Sequence, residues 1–199
     1  MYEAGHDERW FSIARQLADQ ILARFVDPEG GFFDTASDHE QLIARPKDIQ
    51  DNATPSGNAV ATLLLLRLAA LTGEGRYRTE AERAIRTVTS YATRHPTAFA
   101  RWLTSIDFGL AAVPEVAIVG APDDPATRAL LAVVARFAGS PSVVAVSARA
   151  EASVVPLLEA RPTIEGRPTA YVCRGFACRL PVTDPEALAA QLRETRAAV

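Results

Sequence analysis

The stretch Asp34–Val60, DTASDHEQLIARPKDIQDNATPSGNAV, separates two helical runs and decides how the first half of the chain is read. It crowds Asp34, Asp38, His39, Glu40, Arg45, Lys47, Asp48, Asp51, Asn52, Ser56 and Asn58 into one connection. So long a connection inside a compact domain is uncommon, and such segments often serve as functional or binding loops. Before it, Trp10, Phe11, Ile13, Ala14, Leu17, Ile21, Leu22 and Phe25 recur at helical spacing and predict a helix from Asp7 to Val26. The proline and two glycines of DPEGG, Asp27–Gly31, stop that helix. After the connection, a second helix is expected to begin near Thr54, with Pro55 in its first turn.

The second helix runs to LTGEG, where Gly73 and Gly75 break it. A third spans about Tyr77 to Arg94 and closes at His95-Pro96, because the residue before a proline is pushed out of the helical region. Thr97 to Ala112 reads as a fourth, with Phe99, Trp102, Leu103, Ile106 and Leu110 on one face. The spacing of helix, loop and helix suggests stacked helical hairpins. Past Pro114 the pattern changes. EVAIVG, Glu115–Gly120, reads as a buried strand, Asp124–Gly139 as an amphipathic helix and Ser142–Ala148 as a second strand. Strand, helix and strand at these lengths predict a parallel pair with a right-handed crossover. Thr169–Val182 adds a strand or a hairpin, and a terminal helix begins at DPEALAAQL. The expected organisation is mainly α: helical hairpins over 1–113, then a small α/β segment over 114–199.

Bulk properties narrow the function. A formal net charge of −3 with 48% hydrophobic residues suits a globular chain and excludes intrinsic disorder. No basic cluster invites nucleic acid. The longest apolar run, Ala59–Leu66, is far shorter than the roughly 20 residues of a membrane span. The acidic, polar N-terminus is no signal peptide, and two cysteines make no disulfide framework, so a cytoplasmic home is expected. Neither a P-loop nor G-x-G-x-x-G, G-x-S-x-G or H-E-x-x-H occurs, and no cofactor is expected.

Several motifs then converge in order: GGFFDT (Gly30–Thr35), DHEQLIARPKDIQDNATPSGN (Asp38–Asn58), LTGEGRY (Leu71–Tyr77), EVAIVG, AYVCRGFAC and PVTDP (Ala170–Pro185). Together they resemble the C-terminal part of the thioredoxin-domain proteins that include the spermatogenesis-associated thioredoxin-like proteins and their bacterial relatives. The resemblance covers nearly the whole chain from about Asp27. It implies helical hairpins of an (α/α)6 barrel similar to six-hairpin glycosidases and N-acylglucosamine 2-epimerases, and with them carbohydrate chemistry. The thioredoxin-like domain, with its C-x-x-C motif, and about half of the barrel have no counterpart here. The chain therefore reads as a fragment whose partner is the upstream barrel and thioredoxin-like segment, either contributing to a carbohydrate-type cavity or serving as a non-catalytic scaffold or interaction module.

Within that frame, Asp38, His39 and Glu40 are the candidate catalytic residues, since a carboxylate beside an imidazole orients and tunes a general base. A turn whose side chains cap nearby backbone explains the same triplet. Arg45, Lys47, Asp48 and Asp51 alternate in sign and suit a sugar or polyol ligand gripped by directed hydrogen bonds. An ion-pair lattice bracing the loop is the plainer account. Asp34, Phe33, Asn52 and Asn58 join this ligand-binding set, with Phe33 as an aromatic platform beside the Asp34 carboxylate. Packing of Phe32 and Phe33 into the hairpin core competes with that role. Cys173 and Cys178 are a candidate redox pair if a hairpin brings the sulfurs together. Alone they cannot complete a zinc site, and His39 and His95 are distant in sequence, so no metal is expected.

Overall fold

The computed structural model describes residues 1–40, 44–137 and 141–197. Seven α-helices and four strands occur among them: α1 Tyr2–Gly5, α2 Glu8–Arg24, α3 Gly57–Thr72, α4 Gly75–Arg94, α5 Ala100–Leu110, β1 Glu115–Val119, α6 Pro125–Arg136, β2 Val143–Ser147, β3 Thr169–Arg174, β4 Ala177–Cys178 and α7 Pro185–Ala197. The chain is mainly α with a small mixed sheet. It divides into two compact units, one of Ile13–Ala69 with Glu74–Leu110, the other of Met1–Ser12, Ala70–Gly73 and Ala111–Val199.

In the first unit, α3 is apolar apart from scattered polar residues such as Arg67, and Ala59, Leu65, Leu66 and Leu68 are almost fully buried along it. A helix with no polar face cannot sit at a surface, so neighbours enclose it. By contrast α4 is amphipathic and buries only the stripe Tyr77, Ala81, Ala84, Val88 and Ala92. A 3-10 turn, Pro96–Phe99, joins α4 to α5 in a helical hairpin. Trp102 and Phe99 on the α5 side are sealed from solvent. The second helix starts later than the sequence predicts: Thr54 and Pro55 stay outside it, and Ser56 immediately precedes it. The reason is that the Asp51 carboxylate captures the Ser56 N–H at 2.8 Å and closes a bend at Ala53–Thr54 ahead of the helix.

In the second unit the strands run in the order β2-β1-β3-β4. β1 and β2 are parallel, as strand–helix–strand spacing predicts, while β3 pairs antiparallel with both β1 and β4. Val116 and Ile118 of β1, Val146 of β2 and Ala170 and Val172 of β3 pack with Leu130, Val133 and Val134 of α6 and Leu188 and Leu192 of α7. The alternate residues of β1 are buried too, with the 3-10 turn Pro156–Leu158 against that strand. Cover on both faces is why β1 reads as an unbroken apolar run after Glu115 rather than an alternating one. Asp124 caps α6 by accepting the Ala126 N–H at 2.8 Å, with Pro125 in the first turn. The predicted end of that helix at Gly139 lies outside the described residues. No described helix is long and apolar enough to cross a membrane.

Candidate functional site

The polar connection lies wholly in the helical unit, and most of its side chains are committed to the protein's own backbone. Asn58, 2% exposed, accepts the Phe32 N–H on Oδ1 at 2.7 Å and returns Nδ2–H to the Phe32 carbonyl at 2.8 Å. The same Nδ2 also donates to the Asp48 carbonyl at 3.2 Å. The two Asp51 oxygens accept from Ser56 N–H at 2.8 Å and Arg101 N–H at 2.7 Å, so one carboxylate holds the entries to both α3 and α5. Its position before Arg101 also complements the positive end of α5. Trp102 donates its indole N–H to the Ile49 carbonyl at 2.8 Å.

Lys47 reaches inward, Nζ meeting Asp27 Oδ2 at 2.5 Å and donating to the Gly30 carbonyl at 3.0 Å. Burial alone raises the Asp27 carboxyl, but the Lys47 bond, the Glu29 N–H and the nearby Lys47 and Arg45 charges outweigh it and leave the group below its ordinary value. Arg45 lays its guanidinium 4.1 Å above the centre of the Phe33 ring. It also donates to the carbonyls of Thr35 and Arg24. Asp34 accepts the Asp48 N–H at 2.9 Å, and Asp48 in turn accepts the Gln50 N–H at 3.0 Å.

The remaining residues face solvent. Asp38, His39, Glu40 and Asn52 are exposed. Asp38 forms a surface ion pair with Arg24 at 3.1 Å, its side chain 58% exposed. The loop beyond Glu40, residues 41–43, lies outside the described residues. The geometry therefore joins Asn58, Asp48, Asp51, Asp34, Lys47 and Arg45 into one bracing lattice around Phe32 and Phe33, and it places the Asp38–Glu40 triplet apart from it.

A second polar network of the helical unit escapes sequence reasoning because it joins residues up to 59 positions apart. Arg15 meets Glu74 at 2.5 Å, Arg76 bridges Glu74 and Asp19 at 2.7 and 2.8 Å, and Tyr77 donates its hydroxyl to Asp19 at 2.6 Å. Burial, seconded by the Asp19 carboxylate, pushes the Tyr77 phenol up to about 12. The phenol is therefore a fixed donor rather than an acid near neutral pH.

In the sheet unit Cys173 and Cys178 are opposite each other on β3 and β4 and are joined by a disulfide. Two residues that the sequence does not single out attend them. Arg161, 9% exposed, points Nη2 at Cys178 Sγ (3.1 Å) and Cys173 Sγ (3.6 Å). Glu115, 6% exposed, accepts the N–H groups of Gly175 and Phe176 in the turn between the cysteines, at 3.0 and 2.8 Å.

No family model matches the chain. Over 192 residues it is 30% identical to spermatogenesis-associated protein 20 of Mus musculus, covering 93% of this chain and 24% of the mouse protein. The proteins of the same name from Rattus norvegicus and Homo sapiens match with the same identity and coverage. The chain is thus homologous to spermatogenesis-associated protein 20 and spans about a quarter of the length of these relatives.

Proposed function

We propose that the chain serves as a non-catalytic architectural portion of a larger protein similar to spermatogenesis-associated protein 20, its helical unit supplying hairpins to a six-hairpin (α/α) barrel. The observation that carries this reading is the use made of the polar connection. Asn58, Asp51, Lys47 and Arg45 are spent on backbone groups and ion pairs of the same chain, which leaves few directed hydrogen bonds for a sugar or polyol. Two further facts support it. The similarity to the relatives extends over nearly all of this chain but only 24% of theirs. Large apolar side chains are also left uncovered on the helices of this unit: Ile13 and Leu17 on α2 are 44% and 56% exposed, Leu103 and Leu110 on α5 are 42% and 79% exposed. Spacings of four and seven residues place each pair on one helix face, and adjoining hairpins of the longer protein are the occupants that would cover them.

Sedimentation of the purified chain tests the proposal. Self-association is expected, as is a raised melting temperature on adding the separately produced remainder of the mouse relative. In parallel, a thermal-shift screen of sugars and polyols should show no saturable stabilisation. A monodisperse monomer indifferent to that segment, stabilised by a sugar through Asp38, His39 and Glu40 (and no longer so in the triple alanine variant), would replace the architectural reading with a carbohydrate site.

A further inference from the structure

We infer that Cys173–Cys178 is a redox-active disulfide, exchanging with dithiols at Cys178 and using Arg161 to hold the thiolate released at Cys173. The asymmetry of the pair is the first ground. Cys173 is 1% exposed on the central strand β3, whereas Cys178 is exposed on the short edge strand β4. Only one sulfur therefore belongs to a residue that an incoming thiolate can readily approach.

The second ground is the environment of Arg161. A guanidinium carries five N–H donors and stays protonated in proteins. Burying it is costly unless an anion or strong acceptors repay the lost hydration. Here Nη1 donates to the Glu159 carbonyl at 2.9 Å, Nη2 faces the two sulfurs, and the buried Nε has no hydrogen-bond partner among the described residues. Disulfide sulfur is a weak, uncharged acceptor. Tyr171, Glu115 and Glu159 act on it electrostatically, with the Tyr171 ring centre 5.9 Å from the guanidinium carbon, while Arg179 beside Cys178 is paired with Glu194. Both Glu115 oxygens accept turn N–H groups. Burial accordingly holds the guanidinium below its ordinary value. Reduction would place an anion at Nη2, which faces only disulfide sulfur in the oxidised state.

A purely structural staple explains the site less well. The bond joins residues five apart, and cross-linking a loop this short restricts the unfolded chain least. Glu115 already clamps the same turn from β1.

The exchange balances with a dithiol as the named reductant. One of its thiolates attacks Cys178 Sγ, a new S–S bond forms there, and the Cys173–Cys178 bond breaks with its electron pair passing to Cys173 Sγ beside Arg161. The second thiolate of the reductant then attacks its own sulfur in the mixed disulfide and expels Cys178 as thiolate. The dithiol leaves as a disulfide. Two electrons have entered the protein; of the two protons the dithiol gives up, Cys178 takes one and the other passes to solvent while Cys173 stays a thiolate.

The test uses the intact chain with dithiothreitol and glutathione as probes, reading alkylated and unalkylated cysteines by mass spectrometry. Cycling should be reversible without loss of the circular dichroism spectrum. After reduction, the pH dependence of iodoacetamide alkylation should reveal one thiol titrating about a unit or more below the ~8.5 of free cysteine. Arg161→Met should return it to that value and, in a fixed glutathione buffer alkaline enough for the thiolate to predominate in both proteins, lower the reduced-to-oxidised ratio about tenfold, equivalent to roughly 30 mV. Arg161→Lys should fall between. A role for Arg161 in stability alone would lower the melting temperature of both redox forms and leave the thiol titration unmoved, which would overturn the inference. Ordinary or raised titration of both thiols in the unaltered protein would do the same, even if Arg161→Met does not fold.

Discussion

Asn58 at the start of α3 closes on Phe32 with both ends of its amide, reproducing at 2.7 and 2.8 Å the paired hydrogen bonds of a neighbouring strand. Phe32 is 4% exposed, so neither of its backbone groups has ready access to water as a substitute. Asn58→Ala leaves both without that partner. At about 1–3 kcal/mol for each buried group deprived of its bond, a loss of roughly 2–4 kcal/mol is expected in urea unfolding followed by circular dichroism. Asn58→Asp keeps the acceptor but sets a buried carboxylate oxygen against the Phe32 and Asp48 carbonyls, so it should cost at least as much as alanine. A change below about 0.5 kcal/mol, the usual level of a surface substitution, would show that the amide does not brace the loop.

Lys47 and Asp27 make the same loop sensitive to pH. The folded Asp27 carboxyl is depressed, so the unfolded chain binds the proton more readily. The stability from this group is therefore complete above the unfolded value of ~3.9 and is lost as pH falls through the lower folded value. Lys47→Met removes the partner and strands a carboxylate that is 7% exposed. A deficit of about 1–3 kcal/mol is expected at pH 7. It should shrink on acidification to pH 3 and below, where the carboxyl takes up its proton. Urea titrations of both proteins at pH 7, 5 and 3 check this, and a deficit constant across that range would exclude Asp27 as its source.

Gly30 is fixed by both space and backbone. Its φ of +108° lies where side chains with a Cβ are strained, and an added Cβ would sit 2.7 Å from Thr87 Cγ2 and 3.0 Å from the Arg83 carbonyl oxygen. Gly30→Ala should cost about 2–4 kcal/mol, combining backbone strain of ~1–3 kcal/mol with overpacking. Adding Thr87→Ser relieves only the methyl contact, so most of the loss should remain. Full recovery in that double variant would mean that the backbone conformation imposes little penalty.

Where local pattern decides the outcome, the sequence is legible. The apolar recurrence from Trp10 to Phe25 becomes α2, Gly73 ends α3 with a φ of +73°, and Asp124-Pro125 opens α6. What escapes is decided by distant partners. The four residues of α1 are too few to show a period, and Ser56 rather than Thr54 borders α3 because Asp51 binds its N–H. The acidic and basic residues of Asp34–Asn58 announce polar contacts but not whether a ligand or a carbonyl answers them. Arg161 carries no motif, and Glu115 enters the sequence reading only as the first residue of EVAIVG. Their significance arises from sheet order, which sets Glu115 opposite Cys173 across 58 positions of chain.

That register yields the last prediction. Gly175 and Phe176 form the turn between β3 and β4 with φ values of +56° and +63°, and only the glycine adopts this region without strain. Glu115 holds both N–H groups from the facing strand, and the Phe176 ring lies over Gly73, within 3.4 Å of where a Cβ would stand. The carboxylate and the ring thus offset the cost of a left-handed phenylalanine. Glu115→Gln turns one acceptor into an NH2 donor facing an N–H, and a loss of about 1.5–3 kcal/mol is expected. Phe176→Gly relieves the strain of ~1–3 kcal/mol but gives up the ring contact. Because both changes act on one turn, their effects should not add: the double variant should be more stable than the sum implies by at least about 0.5 kcal/mol. Denaturant unfolding of the four proteins in this cycle, all kept oxidised, measures the coupling, and strict additivity would show that Glu115 does not hold the turn.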